Sequence, residues 1–341
     1  MKRNRNLDFL KTVCSFLVVC IHAPFPGIAG TIFLPLCRIA VPLFFMITGY
    51  YYTHTKQRNN EKKQLMKILR LFVGANLLFF LWSLLWKCIC GYSVVGYLSS
   101  AFSLTSIGKF LLLNESPFGG HLWYLGAILY VLVIIFVFEK KWDRKKMYPV
   151  MPVLLLADLV FGKYSLLRFG QSIPFIWVRN FLCVGLPYFL IGDMLYTYRI
   201  TVKPKKALLL ALVFVLTTVA ERFVLGFFEV NGQRDHYIST TFLASFLFLS
   251  ATQCSSECSC KGYRALCEIG AKLSTGIYVM HPIFITLLLA LIDHLCRYIP
   301  QLFVYYYIEP IAVFVCTAIV AWGVHLFTTV LKRKLSTARN T

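Results

Sequence analysis

The stretch FLVVCIHAPFPG, residues 16–27, sets one histidine, His22, inside an apolar run that Pro24 and Pro26 then end. In a soluble core an imidazole among Val, Cys and Ile is an ordinary packing residue. In a membrane span it is a costly polar group whose presence needs a reason. The rest of the chain decides between these settings. Of its 341 residues, 58% are hydrophobic and 14% are charged, too little polar surface for a soluble domain of this size. Apolar stretches recur from end to end, and about 20 such residues span a bilayer. The expectation is an all-α, polytopic helical membrane protein, a single integral-membrane domain over residues 1–341 with about ten transmembrane helices. They fall roughly over 8–24, 31–53, 66–90, 121–138, 148–163, 174–198, 206–225, 237–252, 265–291 and 308–331. The opening MKRNRNLDFLKTVCSFLVVCIH has the basic head and apolar run of a signal peptide. Its small-residue cleavage site is weak and further spans follow, so it reads as a retained first helix.

Charge sets the orientation. With the N-terminus inside, 26 of the 35 lysines and arginines lie on cytoplasmic segments and helix ends. They run from Lys2, Arg3, Arg5 and Lys11, through the loop HTKQRNNEKKQ, to Lys332, Arg333, Lys334 and Arg339. Eight, among them Lys109, Arg179 and Arg234, lie outside. This is the positive-inside pattern of an even number of spans with both the N- and C-termini cytoplasmic. Basic inner loops facing anionic lipid account for the net charge of +21. No basic–aromatic platform is present, so the expected partner is the lipid bilayer and not nucleic acid. Most of the twelve cysteines sit in spans as small apolar residues. The exception is CSSECSCKGYRALC, with Cys254, Cys258, Cys260 and Cys267 on an inner loop. Four thiols could hold zinc, but the spacing matches no standard CxxC pair. Reduced cytosolic thiols with no metal are expected.

Polar groups within the spans converge in depth. His22 lies 14 residues past Asp8, about 21 Å above the inner surface. Arg38 is seven residues into the second span from outside, about 10 Å below the outer surface. His281, in STGIYVMHPIF, is about 22 Å up the ninth span, and Pro282 after it would break or kink that helix. ESPFGGHLWYL adds Glu115 and His121 at the outer entry to the fourth span. One such histidine alone reads as a packing residue bonded to a backbone carbonyl. Several groups in one layer point to a polar chamber in the outer half. At the inner face, Lys11 begins the first helix, and Lys67 and Arg70 lie i and i+3 on the third. Snorkelling at helix ends explains such residues; the functional reading is a site for phosphate groups entering from the cytosol.

Ten residues separate Lys11 from His22. CRIAVPLFFMITGYYY follows, then Lys67-x-x-Arg70, then HLWYL, then GIYVMHP. This ordered set, over residues 5–330, resembles the integral-membrane acyltransferase-3 family of about ten-helix enzymes. The resemblance implies transfer of an acyl group, acetyl from cytosolic acetyl-CoA, to an acceptor at or beyond the outer face of the cell (cytoplasmic) membrane. The family's basic–ten–histidine pattern falls on Lys11 and His22, its paired-basic motif on Lys67 and Arg70, and its arginine before Pro-Leu-Phe-Phe on Arg38. Lysine stands at positions 11 and 67 where arginine is common. Thr48 stands before Gly49 where serine is usual. Trp123-Tyr124-Leu125 is not followed by the glutamate of the polysaccharide-modifying branch. The wording is nearest to the membrane domains of vancomycin-resistance-type serine racemases, which are linked to amino-acid supply and carry a fused racemase. For these 341 residues the expectation is the membrane domain without the racemase.

An acceptor hydroxyl attacking a thioester needs a general base, and a neutral imidazole suits that task. An apolar, cation-rich chamber would keep His22 neutral, because burial and positive neighbours both depress its pKa. Arg38 would stabilise the thioester oxyanion. Lys11, Lys67 and Arg70 would hold the phosphates of acyl-CoA. Glu115, His121, Trp123, Tyr278 and His281 would shape the side for a glycan, lipid-linked or small-molecule acceptor. Two other classes stay open: a transporter or exporter of a small polar substrate such as an amino acid, with Asp158 as its candidate carboxylate, and a non-catalytic sensor or assembly partner.

Overall fold

Asn4 starts the first helix: its side chain accepts from the Leu7 amide, one of the donors a helix start leaves unpaired. In the computed structural model, which describes residues 4–230, 236–254 and 260–337, helix α1 runs Arg5–His22. Leu7, Leu10, Cys14, Leu17 and Val18 repeat at three- and four-residue steps and form its buried stripe. Pro24 and Pro26 stop it. Gly27, at φ +63°, turns the chain into α2 (Gly27–Cys37), and Arg38 closes that helix. The chain divides into two compact units, Val41–Leu249 and Lys2–Ala40 joined by Ser250–Thr341.

The larger unit begins with α3 (Ala40–Gln57) and α4 (Glu61–Ile89). A pair bent by 49°, α5 (Val94–Ala101) and α6 (Leu104–Leu113), follows. Then come α7 (Trp123–Phe138), α8 (Val150–Asp158) and the short α9 (Ser165–Phe169). Helices α10 (Leu186–Thr197), α11 (Pro204–Phe227) and α12 (Ile238–Gln253) complete the series, the last running on past Leu249. Two single-residue choices bring α3 and α10 together. A Cβ on Gly49 would stand 2.0 Å from the Phe189 carbonyl oxygen, and one on Gly192 2.0 Å from the Met46 carbonyl oxygen. Only glycine at both sites lets the two backbones touch, the small-residue packing that membrane helices favour. Leu43, Phe45, Met46, Ile128, Val131, Ile135 and Phe189 fill the core around this contact. By contrast Leu208, Leu209, Leu212 and Leu216 of α11 are exposed, the face a helix turns to lipid.

The smaller unit adds α13 (Lys261–Lys272), α14 (Ser274–Cys296) and α15 (Tyr305–Thr337). Helix α13 lies along the start of α1. Its Gly270 is pressed so close to the Asp8 carbonyl that a Cβ would sit 1.8 Å from that oxygen. Thr12 donates to the Leu266 carbonyl at 2.5 Å, Tyr263 bonds Asn6, and the Cys267 thiol donates to the Arg5 carbonyl. Further along, Val19, Leu273, Ile277, Val313 and Ala321 make the apolar centre of α1, α14 and α15.

Among the described residues the regular secondary structure is all helix, with no strand. Among them six helices are long and apolar enough to cross a membrane, or seven with α5–α6 as one broken span; Phe181–Thr197 and Ile238–Gln253 are shorter apolar helices. The expected helices differ from these in ways the sequence explains. The 148–163 segment leaves α-geometry after Asp158 for a π-helical turn, Leu159–Lys163. The 174–198 segment becomes helical with a second π turn, Phe181–Gly185, capped by the Asn180 side chain. The 265–291 segment breaks at Leu273, dividing a charged amphipathic helix from an apolar one. No expected helix covers α5 and α6. Ser93 and Ser103 are their N-caps, accepting from the amides of Gly96 and Ser106.

Candidate active site

In the smaller unit, the end of α1 meets the middle of α14. The His22 and His281 rings lie 5.0 Å apart, centroid to centroid, tilted by 46°. Their surroundings differ. His22 is the last residue of α1 and its side chain is exposed, because the two prolines end the helix there. His281 has 0% exposure. Burial therefore acts on His281, and the expected enclosure of His22 does not hold. The His281 Nδ1 lies 2.8 Å from the Tyr278 carbonyl oxygen and 3.2 Å from that of Ile277. A carbonyl only accepts, so Nδ1 carries a proton. Tyr278 itself is buried, its ring 6.4 Å from that of His281.

Arg38 belongs to the same unit. It follows Cys37 at the end of α2, whose thiol donates to the Phe33 carbonyl at 3.3 Å, and it is buried. At the other end of α1, Lys11 makes an ion pair of 3.0 Å with Asp8, one turn earlier on the same helix. Asp8 is buried against α13, so Lys11 is held in place by a carboxylate that the sequence reading left out.

The other expected site residues lie in the larger unit. Lys67 and Arg70 are exposed, three residues apart on α4. Three of the residues expected on the acceptor side, Glu115, His121 and Trp123, lie where α7 starts. The His121 ring is buried and meets Phe79 edge-on at 4.4 Å. Asn114 ends α6 in the left-handed region, donates to the Trp123 carbonyl at 3.0 Å and accepts from the Phe181 amide at 3.0 Å. Ser116 donates to Asn76 at 2.7 Å. Trp123 is buried, with the Arg179 guanidinium 5.4 Å from its ring centroid. Glu115 keeps one carboxylate oxygen buried with no hydrogen-bond partner among the described residues.

Two charged clusters in this unit have no local signal in the sequence. Arg144 bonds Asp193 through Nε at 2.7 Å, Glu139 through Nη1 at 2.6 Å and Thr53 through Nη2 at 2.5 Å. Lys56 at 2.8 Å and the Tyr52 hydroxyl at 3.0 Å complete the shell of Glu139. Burial raises the Glu139 pKa, but the bonds from Lys56 and Arg144 outweigh it, and the group ends below its ordinary value. Burial likewise lowers that of Arg144, and Asp193 and Glu139 more than reverse it. The second cluster pairs buried Asp158 with His236 at 2.7 Å, 78 residues away in sequence. No periodicity could have joined them.

The acyltransferase-3 family model, described as an acyltransferase domain, matches residues 4–328. The chain belongs to this family. It is thus a multi-pass membrane protein of that family. The chain is also similar to an amino-acid racemase of Enterococcus faecalis, 25% identical over 335 residues. That match covers 89% of this chain and 43% of the relative, so the chain spans less than half of the relative's length. No solved structure matches it. Among the described residues no group of three or more His, Cys, Asp and Glu is placed to hold a metal ion. Of the four thiols expected on an inner loop, Cys254, Cys260 and Cys267 are described, Cys267 within α13, and Cys258 lies outside the described residues, as does Arg234.

Proposed function

We propose that this acyltransferase moves an acetyl group from cytosolic acetyl-CoA to a hydroxyl or amine of an acceptor on the extracytoplasmic side, with His22 as the general base. The observation that carries this reading is the His22–His281 pair, 5.0 Å apart at the end of α1 away from Lys11. The acceptor's lone pair attacks the thioester carbon while its proton passes to His22. Collapse breaks the C–S bond, and the thiolate leaves with that proton as free thiol, so no proton is consumed overall. Buried Arg38 stabilises the oxyanion in between. Lys11, Lys67 and Arg70 bind the donor's phosphates. Glu115, His121, Trp123, Tyr278 and His281 shape the acceptor side. The reading includes about ten spans in one integral-membrane domain, both termini in the cytoplasm, in the cell membrane, and no metal.

Purified full-length protein given labelled acetyl-CoA should release CoA and, with its acceptor, form an acetyl ester or amide. No turnover with any acyl-CoA, together with substrate uptake into proteoliposomes without CoA, would replace this reading with the transporter. The buried Asp158–His236 pair beside a π turn is what favours that second reading, since proton-coupled carriers use such a carboxylate at a helix break. The relative's printed name makes an amino acid the first cargo or acceptor to try.

A further inference from the structure

Helix α14 carries a proline in its middle, Pro282, directly after His281. In an unbroken helix the amide of residue 282 would donate to the carbonyl of residue 278. Proline has no N–H, and its ring crowds that same carbonyl. The Tyr278 carbonyl is therefore deprived of its helical donor inside a buried stretch, where an unmet acceptor is costly. The His281 Nδ1, 2.8 Å away, meets it. The sequence His-Pro thus does two things at once: it empties one carbonyl and supplies the side chain that fills it.

The consequence concerns the other ring nitrogen. A neutral imidazole has one N–H, and here it is committed at Nδ1, which makes Nε2 an acceptor. With Nδ1 held to the Tyr278 carbonyl, this is the tautomer of the neutral ring. The neighbouring ring is His22. Two imidazoles joined by an in-line N–H···N bond have centroids about 5 Å apart, given a donor–acceptor distance of about 2.9 Å and about 1.1 Å from each nitrogen to its centroid. The measured separation is 5.0 Å. His22 is exposed at the end of its helix, so its ring can rotate into that bond.

We propose that Pro282 and the Tyr278 carbonyl lock His281 as its Nδ1–H tautomer, and that His281 Nε2 then accepts the N–H of His22, leaving the other His22 nitrogen basic toward the acceptor. His281 is on this reading a positioning residue, the neutral counterpart of the carboxylate that orients a histidine in hydrolytic triads. The proposal rests on His22 being the base, but its lock does not.

The test uses the full-length protein in detergent with 15N-labelled histidine, His281 being assigned by the signals lost in His281→Asn. Wild type should show His281 protonated at Nδ1 and bare at Nε2. Pro282→Ala restores an amide that competes for the Tyr278 carbonyl, so the Nε2–H form should grow. A wild-type His281 protonated at Nε2, or an unchanged tautomer in Pro282→Ala, would overturn the lock. Neither result needs turnover, so the lock is decided even if the chain transfers no acyl group. The relay has its own readouts. Asparagine keeps a donor near the Nδ1 position and lacks Nε2. His281→Asn should therefore keep the melting temperature and donor KM, redistribute the His22 tautomer, and lower kcat by about 10- to 100-fold, as for outer partners that orient a histidine. His281→Gln, whose amide oxygen reaches toward the Nε2 position, should recover part of that loss. A His281→Asn protein with wild-type kcat and an unmoved His22 tautomer would refute the relay. If His281→Asn does not fold, the His22 tautomer in folded Pro282→Ala decides: redistribution there supports the relay, and no change against a shifted His281 refutes it.

Discussion

Replacing His22 by alanine separates chemistry from structure because of where α1 stops. His22 is the terminal helical residue and is exposed, so its removal opens no buried cavity. What is lost is the proposed bond to buried His281, about 1–3 kcal/mol for an acceptor left unmet. That cost lowers the melting temperature but leaves a folded protein on which donor binding and rate can be measured. Donor binding should be spared. Lys11 lies eleven residues earlier on the same helix, about 16 Å away along its axis. The rate is another matter: removing a general base costs about 100- to 10,000-fold. Melting temperature, acetyl-CoA affinity and acyl-transfer rate should be measured on one preparation of His22→Ala and compared with wild type. A folded protein that binds donor as wild type does, yet turns over within a factor of a few of wild type, would refute the assignment. His22→Gln, closer in volume, should be as slow as His22→Ala if acid–base chemistry is what matters.

Arg144→Met should destabilise the larger unit by about 3–5 kcal/mol, because it strands fully buried Asp193 and nearly buried Glu139 without their shared cation; thermal or denaturant unfolding reads this directly. Glu139 has its pKa depressed in the folded state, so its contribution is present above its unfolded value and is lost as pH falls through the folded one. The acid limb of the unfolding profile should therefore weaken in Glu139→Gln. Lys67→Ala with Arg70→Ala should raise the donor KM with little change in melting temperature, since both side chains are exposed; unchanged donor affinity would return them to membrane-surface snorkelling. A cysteine placed at Asn60, in the turn between α3 and α4, should be protected from impermeant reagents in intact cells and labelled in lysates. Labelling from outside would reverse the topology.

Part of the candidate site is legible along the chain because it depends on spacing. Lys11 and His22 share one helix, so eleven residues fix their separation by helical rise alone. Proline after His281, and the i, i+3 pair on α4, are likewise local patterns that each stay on one helix in the tertiary structure. Helix ends were less visible. Whether a serine caps a helix or opens a loop depends on which amides remain unpaired nearby, as at Ser93 and Ser103. A π turn such as Leu159–Lys163 leaves no mark in hydropathy.

The amino-acid sequence by itself determined the membrane class, the positive-inside charge asymmetry, the place of Lys11 and His22 along one helix, and the family motifs, because each is set by composition or by distance along one element. Only the tertiary structure decided which histidine is buried, since that depends on what packs around the end of one helix and the middle of another. The same holds for the Asp8 partner of Lys11 beneath Gly270, for the Arg144 cluster and for the Asp158–His236 pair. A buried charge is stable only beside its counter-ion, and the counter-ion is free to come from any helix that the packing of small residues and apolar faces brings alongside.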